Sequence, residues 1–324
     1  MIVSAEWVPY TLTLARPWQT AAGWIEVREG RLLRLQSDDG RIGWGDAAPL
    51  PEFGIDDNRA VAFAEETAHL DLAAQSAGLP LHAWLSGETA VERLAVNANL
   101  GTLCSTTPED LIAASEAGHT VIKLKVGVAS LSAEIRQLHL LAINLPATAR
   151  LRLDANQGWS LTDAGHFIDA CAGLPIDGLE EPIAQPDVDR LAFLQAKASF
   201  PVAIDESVAL IDRRFLASPP VRRVVLKPAR LGLLRSHELA LRLRQAGVEI
   251  VVTHALESAC GVMACAQLAA AMAPHGVHGL ATVGWFEHDT GHSPVIESGR
   301  LALPERAGLG FEPADRYQSR SSTR

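Results

Sequence analysis

Val121-Ile122-Lys123-Leu124-Lys125 and Leu151-Arg152-Leu153-Asp154 are short apolar runs that each end on a charged side chain. The pattern returns in Ile176-Asp177-Gly178-Leu179-Glu180, Val202-Ala203-Ile204-Asp205 and Val224-Val225-Leu226-Lys227. From Lys125 through Asp154, Glu180 and Asp205 to Lys227, the closing residues fall 29, 26, 25 and 22 positions apart. Further runs at 94–100, 250–253 and 277–281 bring the count to eight. Amphipathic segments of helical length separate them, as at 108–117, 161–172 and 233–246. Ser160-x-x-Asp163 opens the second of these with capping-box spacing. Gly247 stops the third. Strands alternating with helices predict a parallel sheet, and eight of them predict closure into a (β/α) barrel. Residues 93–290 provide about 200 positions, near the least such a barrel needs. No G-x-G-x-x-G or P-loop follows any run, which speaks against an open nucleotide-binding sheet.

Residues 1–92 read differently. Tyr10–Leu14 and Leu32–Gln36 alternate like half-buried strands, and Asp38-Asp39-Gly40 marks a turn before Trp44. A helical stretch at 58–75 follows, so this is an α+β unit. The 324 residues carry 28 Lys+Arg against 38 Asp+Glu, a net charge of −10. The densest basic features are the pairs Arg213-Arg214 and Arg222-Arg223, so no nucleic-acid partner is expected. The N-terminus has no basic region leading into an apolar run, hence no secretory signal is expected. Residues 258–286 lack Asp, Glu, Lys and Arg, but Gln267, Pro274, glycines and histidines interrupt them. They predict a buried helix and strand rather than a membrane span. Cys104, Cys171, Cys260 and Cys265 form no CxxC, which fits reduced thiols and the cytoplasm. The polar end, 318–324, is expected to fray.

In a barrel the closing residues of successive strands meet at the C-terminal mouth. Asp154, Glu180 and Asp205 would repel one another there without a cation. Three hard oxygen ligands fit Mg²⁺, and the lack of His and Cys disfavours zinc. Lys125 and Lys227 bracket the three acids in strand order, so they approach a bound substrate from opposite sides. The like charge of Lys123, at i−2 on the same face, would favour a neutral Lys125. A cation holding a substrate carboxylate stabilises the charge left when the neighbouring proton departs. The set predicts proton abstraction next to a carboxylate, on a small-molecule carboxylate substrate. Arg152, two residues before Asp154, should point inward and support the site. Trp159 and Trp285 near strand ends could wall an apolar substrate ring, but core packing is the role expected first for each.

With these pieces in view the chain resembles the enolase superfamily, in the branch with Lys-x-Lys and a lysine on the sixth strand. The matching motifs are Lys123-Leu124-Lys125, Asp154-Ala155-Asn156, Glu180-Glu181-Pro182, Asp205-Glu206-Ser207 and Lys227-Pro228-Ala229-Arg230-Leu231-Gly232. A Lys base with Mg²⁺ and an enediolate is a known pairing in that superfamily. The resemblance implies that the α+β unit caps the barrel and is completed by about 291–324. Gly43–Gly54, Asp71-Leu72-Ala73-Ala74-Gln75 and Leu153–Trp159 are further similar to the o-succinylbenzoate synthases. These dehydrate 2-succinyl-6-hydroxy-2,4-cyclohexadiene-1-carboxylate to 2-succinylbenzoate in menaquinone biosynthesis. The resemblance implies that Lys125 is the base and then the acid, and that Lys227 stabilises the enediolate. It makes Asp154, Glu180 and Asp205 the Mg²⁺ ligands, with Glu180 chosen over Glu181 by its distance from Pro182. Lys123 would assist Lys125, and Asn156 would hydrogen-bond near the metal. Phe53 on the cap loop and Ser258 are the expected substrate contacts.

Two positions depart from the synthase pattern. Thr253-His254 stands where a pair of serines is common, and Asp46 where Glu is common. His254 is read as a polar wall residue. Rival readings are muconate-type cycloisomerisation, N-acylamino acid racemisation and dipeptide epimerisation on the same scaffold. A dipeptide epimerase would carry Asp-x-Asp on the eighth strand, where Gly279-Leu280-Ala281-Thr282 has none. A Schiff-base lyase using either lysine, or a non-catalytic binding barrel, would be a different class.

Overall fold

The computed structural model describes residues 1–20 and 23–318. Strands β1 (Ile2–Thr20), β2 (Gly23–Ser37) and β3 (Ile42–Ala47) form an antiparallel sheet in that order. Tyr10, Leu12 and Leu14 are buried while Thr11 and Thr13 are exposed, the alternation read from the sequence. Helix α1 (Asp57–Ala77) lies on β3. The Asp56 side chain accepts from the Arg59 N–H to start it, and Gly78 at φ 69° ends it. The approach is close: a Cβ on Gly45 would sit 1.9 Å from the Ala64 carbonyl oxygen, so only glycine fits. Helix α2 (Leu81–Ser86) completes the N-terminal cap.

The barrel elements follow in alternation. They are β4 (Arg93–Val96), β5 (Ala98–Thr102), α3 (Pro108–Glu116), β6 (Val121–Lys125), α4 (Leu131–Asn144), β7 (Arg150–Asp154), α5 (Leu161–Ala170), β8 (Ile176–Glu180) and α6 (Val188–Lys197). Then come β9 (Val202–Ile204), α7 (Arg213–Ala217), β10 (Arg223–Leu226), α8 (Pro228–Leu231), α9 (Leu233–Gln245), β11 (Glu249–Val252), α10 (Ala259–Met272) and β12 (Val277–His278). β5 to β11 form a parallel seven-stranded sheet in sequence order. The run expected as one strand at 94–100 is broken at Asn97. Its second half pairs with β6, and its first half pairs with β12. The ring meets again between β11 and β12 through one bridge, Thr253 to Gly279. There the buried His278 ring replaces ladder bonds: Nδ1 accepts the Val252 N–H, and Nε2 bonds the Ala273 carbonyl. Burial pushes that imidazole down to about 4, so it stays neutral in this role.

The chain closes with β13 (Ile296–Glu297), β14 (Arg300–Ala302) and α11 (Asp315–Gln318). β14 runs antiparallel to β4, and Gly308 bridges to Pro80 beside α2. The Asp71 carboxylate ties these parts together by accepting from the N–H groups of Trp44 and Leu309. The tail beyond Gln318 lies outside the described residues. All 14 residues of α10 are buried between cap and barrel, as its lack of charge foretold. Among the described residues no helix is long and apolar enough to cross a membrane. The four cysteines are free thiols.

Two cap side chains fasten the loop after β11. Arg28 is buried and donates to the carbonyls of Leu256, Pro49 and Ala48. Asp46 accepts from the Tyr10 hydroxyl at 2.7 Å and from the Ser258 N–H and hydroxyl at 2.9 and 2.8 Å. Burial raises the Asp46 carboxyl to about 6 against these hydrogen bonds. A carboxyl raised on folding binds its proton more tightly in the native state. That advantage is present below the unfolded value and lost as pH rises from about 4 to about 6. Relative to Asp46→Asn, the wild type should therefore lose about 2–3 kcal/mol between pH 4 and pH 7. Urea unfolding of both proteins at the two pH values measures this, and a constant difference would refute it.

Candidate active site

The strand register builds the site. Lys125, Asp154 and Glu180 pair across β6, β7 and β8 and stand side by side. Glu180 then pairs with Ala203, and Ala203 with Arg223, so Asp205 and Lys227 stand further along their chains. Closing a barrel imposes such a stagger, and the five side chains spiral around the mouth. β6 and β10 lie four places apart in the sheet, which brings Lys125 and Lys227 in from opposite flanks. The loop after Lys125 is anchored by the buried Glu134 carboxylate, which accepts the N–H groups of Gly127, Val128 and Ala129.

Beneath the mouth the barrel is filled. Ala203, Val225 and Val251 make a small apolar plug. Below it Asp177 binds Arg152 at 2.8 Å and Arg223 at 2.7 Å, and Arg223 also binds Glu249 at 2.8 Å. Gly178 leaves room for the Arg223 guanidinium, which would lie 2.5 Å from a Cβ there. Arg152 thus points inward but belongs to this floor, where it also donates to the Val277 carbonyl.

Charge pairing at the mouth is uneven. Lys123 Nζ lies 2.8 Å from Asp154 and 2.9 Å from Glu180, and Lys227 bonds Asp205. Lys123, expected to act on Lys125, instead has its charge matched by two acids. Lys125 forms no ion pair among the described residues, and its Nζ stands 5.8 Å from the centre of the Trp18 ring. Burial works against charge on Asp154, but the Lys123 ammonium holds its carboxyl below the usual range. Burial pushes Glu180 up to about 7 despite Lys123, with Asp154 and Asp205 adding repulsion. Burial raises Asp205 as well, against the pull of Lys227.

The glutamate pair divides its work. Glu180 faces Lys123 and the other acids. Glu181 accepts the N–H groups of Asp205 and Ser207 and the Ser207 hydroxyl, so it holds the next strand end in place. Asn156 donates its N–H to Asp154 and its side-chain amide to Glu206. Three buried carboxylates at adjacent strand ends are an oxygen donor set suited to Mg²⁺. No three His, Cys, Asp or Glu among the described residues are already arranged around an ion position. The ammonium groups of Lys123 and Lys227 occupy the acids instead, and a cation would compete with them. The donor chemistry fits, because a divalent charge relieves the repulsion that raises Glu180.

A cavity of about 100 Å³ opens between the two lysines. Phe53 lines it and stacks on Trp18 at 5.6 Å, and Trp18 meets the edge of Trp285 at 6.0 Å. Trp285 packs on the core and lines the cavity as well. Trp159 does pack the core, 4.4 Å from Phe167. Ser258 does not line the cavity: it is fully buried and its hydroxyl is committed to Asp46. His254 is on the wall, with Nε2 against the Thr282 hydroxyl. Trp18 and Glu206 line the cavity without having been singled out. Glu206 was within a quoted motif, whereas nothing in Arg16-Pro17-Trp18 signalled that β1 reaches so far.

The sequence family described as Enolase C-terminal domain-like matches residues 108–317. The chain belongs to the enolase superfamily. More particularly, it is 32% identical to the o-succinylbenzoate synthase of Pectobacterium atrosepticum over 277 residues, covering 80% of this chain and 84% of that protein. In fold it is similar to the L-Ala-D/L-Glu epimerase from Bacillus subtilis, with TM-score 0.84, 23% identity and coverage of 97% and 99%. The N-succinyl Arg/Lys racemase from Bacillus cereus gives TM-score 0.86 at 18% identity, with coverage of 97% and 96%. These two likenesses show the fold alone.

Saturating MgCl₂ should raise the melting temperature by about 2–6 °C. Glu180→Gln and Asp205→Asn should each abolish that rise in a thermal-shift assay. An equal rise in all three proteins would place the cation elsewhere.

Proposed function

We propose that this chain is a Mg²⁺-dependent o-succinylbenzoate synthase, dehydrating 2-succinyl-6-hydroxy-2,4-cyclohexadiene-1-carboxylate to 2-succinylbenzoate. The observation that carries the reading is the unpaired Lys125 facing the acid-bound Lys227 across a cavity with an aromatic lid. Lys125 can take up and release a proton without breaking an ion pair. Its Nζ takes the proton from the carbon beside the substrate carboxylate. The same group then returns it to the hydroxyl as the C–O bond breaks, so water leaves and the ring becomes aromatic. Lys227 presents positive charge to the carboxylate from the other flank. Asp154, Glu180 and Asp205 would hold Mg²⁺, whose charge when bound stabilises that same carboxylate.

The walls support an apolar ring as substrate. Trp18 and Phe53 from the cap and Trp285 from the barrel line the cavity. Gly279 and Ala281 from the eighth strand offer no carboxylate for a substrate ammonium, which counts against a dipeptide epimerase. An N-acylamino acid racemase needs proton transfer from both flanks, and the aromatic wall of the cavity favours an apolar ring over an acylated amino acid. About 100 Å³ is less than the 300 Å³ or more usual for small-molecule sites, so the Trp18–Phe53 lid must move outward to admit substrate.

Lys125→Ala and Lys227→Ala should each lower kcat by about 10³-fold or more while circular dichroism stays native. EDTA should stop turnover and Mg²⁺ restore it. Full turnover in EDTA, or a borohydride-trapped substrate adduct, would replace this reading with a Schiff-base enzyme. Trp18→Ala should raise KM by about tenfold and lower kcat less, as loss of one aromatic wall predicts. An unchanged KM would remove Trp18 from the substrate wall.

A further inference from the structure

A second, larger cavity of about 690 Å³ lies between α1, the segment joining β9 to α7, and helices α8 and α9. Arg59, Arg213, Arg230, Arg235 and Arg242 line it. They come from four helices and are scattered over the sequence, so reading along the chain showed no basic patch. The fold gathers five guanidinium groups at one groove of a chain whose net charge is −10.

The acids at this groove are already engaged. Asp212 accepts the Phe215 N–H to cap α7, and Glu238 binds Arg242 at 2.5 Å. Arg213 and Arg235 have no side-chain hydrogen bond or ion pair among the described residues and are exposed. The floor is aliphatic, made by Val208, Ile211, Leu231 and Leu239, which belong to or pack on the core. The groove therefore joins positive charge to a hydrocarbon surface. Its volume lies within the range of small-molecule sites.

We propose that this groove is a second binding site, for an organic dianion whose two acidic groups flank an apolar body. Guanidinium forks bind carboxylates, phosphates and sulfonates in paired hydrogen bonds. Arg213 and Arg235 are open to one acidic group, and Arg59 and Arg230 take the other by exchanging backbone carbonyl partners and, for Arg59, the Asp56 carboxylate 3.8 Å away. The aliphatic floor excludes water from the body between them and selects against small inorganic ions. The site adjoins the lid. Arg59 donates to the Gly54 carbonyl at 3.2 Å, and Arg230 to the Glu206 carbonyl at 3.3 Å. A bound anion competes with both carbonyls for these groups.

Naphthalene-1,5-disulfonate is a suitable probe, because its two charges persist at neutral pH and sulfonates bind Mg²⁺ weakly. Calorimetric titration of the full chain, with Mg²⁺ present, should show one site with Kd below about 1 mM. The Arg213→Gln/Arg235→Gln pair should weaken it at least tenfold, with unchanged melting temperature because both side chains are exposed and unpaired. Lys125→Ala should leave the affinity unchanged, which separates this site from the catalytic cavity. Absence of binding, or binding that survives the double substitution, overturns the proposal. Loss of a dimer on Arg213→Glu, by light scattering, together with silence toward the disulfonate, would overturn it in favour of a contact between copies.

Discussion

Three carboxylates are buried side by side at one end of the barrel, and everything around them answers to their mutual repulsion. Lys123 lies between two of them and Lys227 against the third. Removing a partner from a buried charge costs roughly 3–5 kcal/mol, so these ammonium groups are structural as well as chemical. The compensation is incomplete, since burial and its neighbours still push Glu180 to about 7. A site left short of positive charge is one that draws in a cation. Lys125 stands apart because Lys123 and Lys227 already hold the places against the acids, and its own surroundings are the face of Trp18.

The barrel supplies the positions, and the cap supplies the enclosure. Asp154 and Glu180 rest on strands β7 and β8, whose lower halves are joined to β10 and β11 by the Arg152–Asp177–Arg223–Glu249 network. In this floor the buried guanidinium groups of Arg152 and Arg223 are matched by Asp177, and Glu249 reaches Arg223 from the solvent side. The lid is built from a hairpin strand and a short loop. Arg28 and Asp46 join the cap to the loop that carries His254 and Leu256 along the cavity wall. Leu256 holds φ 57°, a left-handed conformation uncommon for leucine, which these contacts keep in place.

Much of this was legible in the residues. The spacing from Lys125 to Lys227 foretold successive strands, because a strand and its return helix consume a nearly constant length of chain. The five closing side chains come to one mouth. The break at Asn97 was not legible, since Asn97 and Asn99 alternate with apolar residues as in any half-buried strand and nothing marks where the pairing partner changes. Trp18 escaped notice because a strand of β1's length has no periodic signature at its far end. Trp285 takes both roles weighed for it, packing on the core and lining the cavity, whereas Ser258 was assigned to the substrate and lies buried against Asp46. That error concerns where the cap meets the barrel, which local pattern does not encode. The five arginines of the second cavity were invisible for the same reason: their proximity is entirely tertiary.

The split first strand has a temporal meaning for a chain emerging from the ribosome. Its lower half, near residue 95, takes its neighbours from β12 near 277 and from β14 near 300. Contacts across such separations form late and slowly. The edge of the nascent cylinder at β4 must remain unpaired until some two hundred further residues have been synthesised. An edge left unpaired for that long offers its open N–H and C=O groups as a template for pairing with another chain.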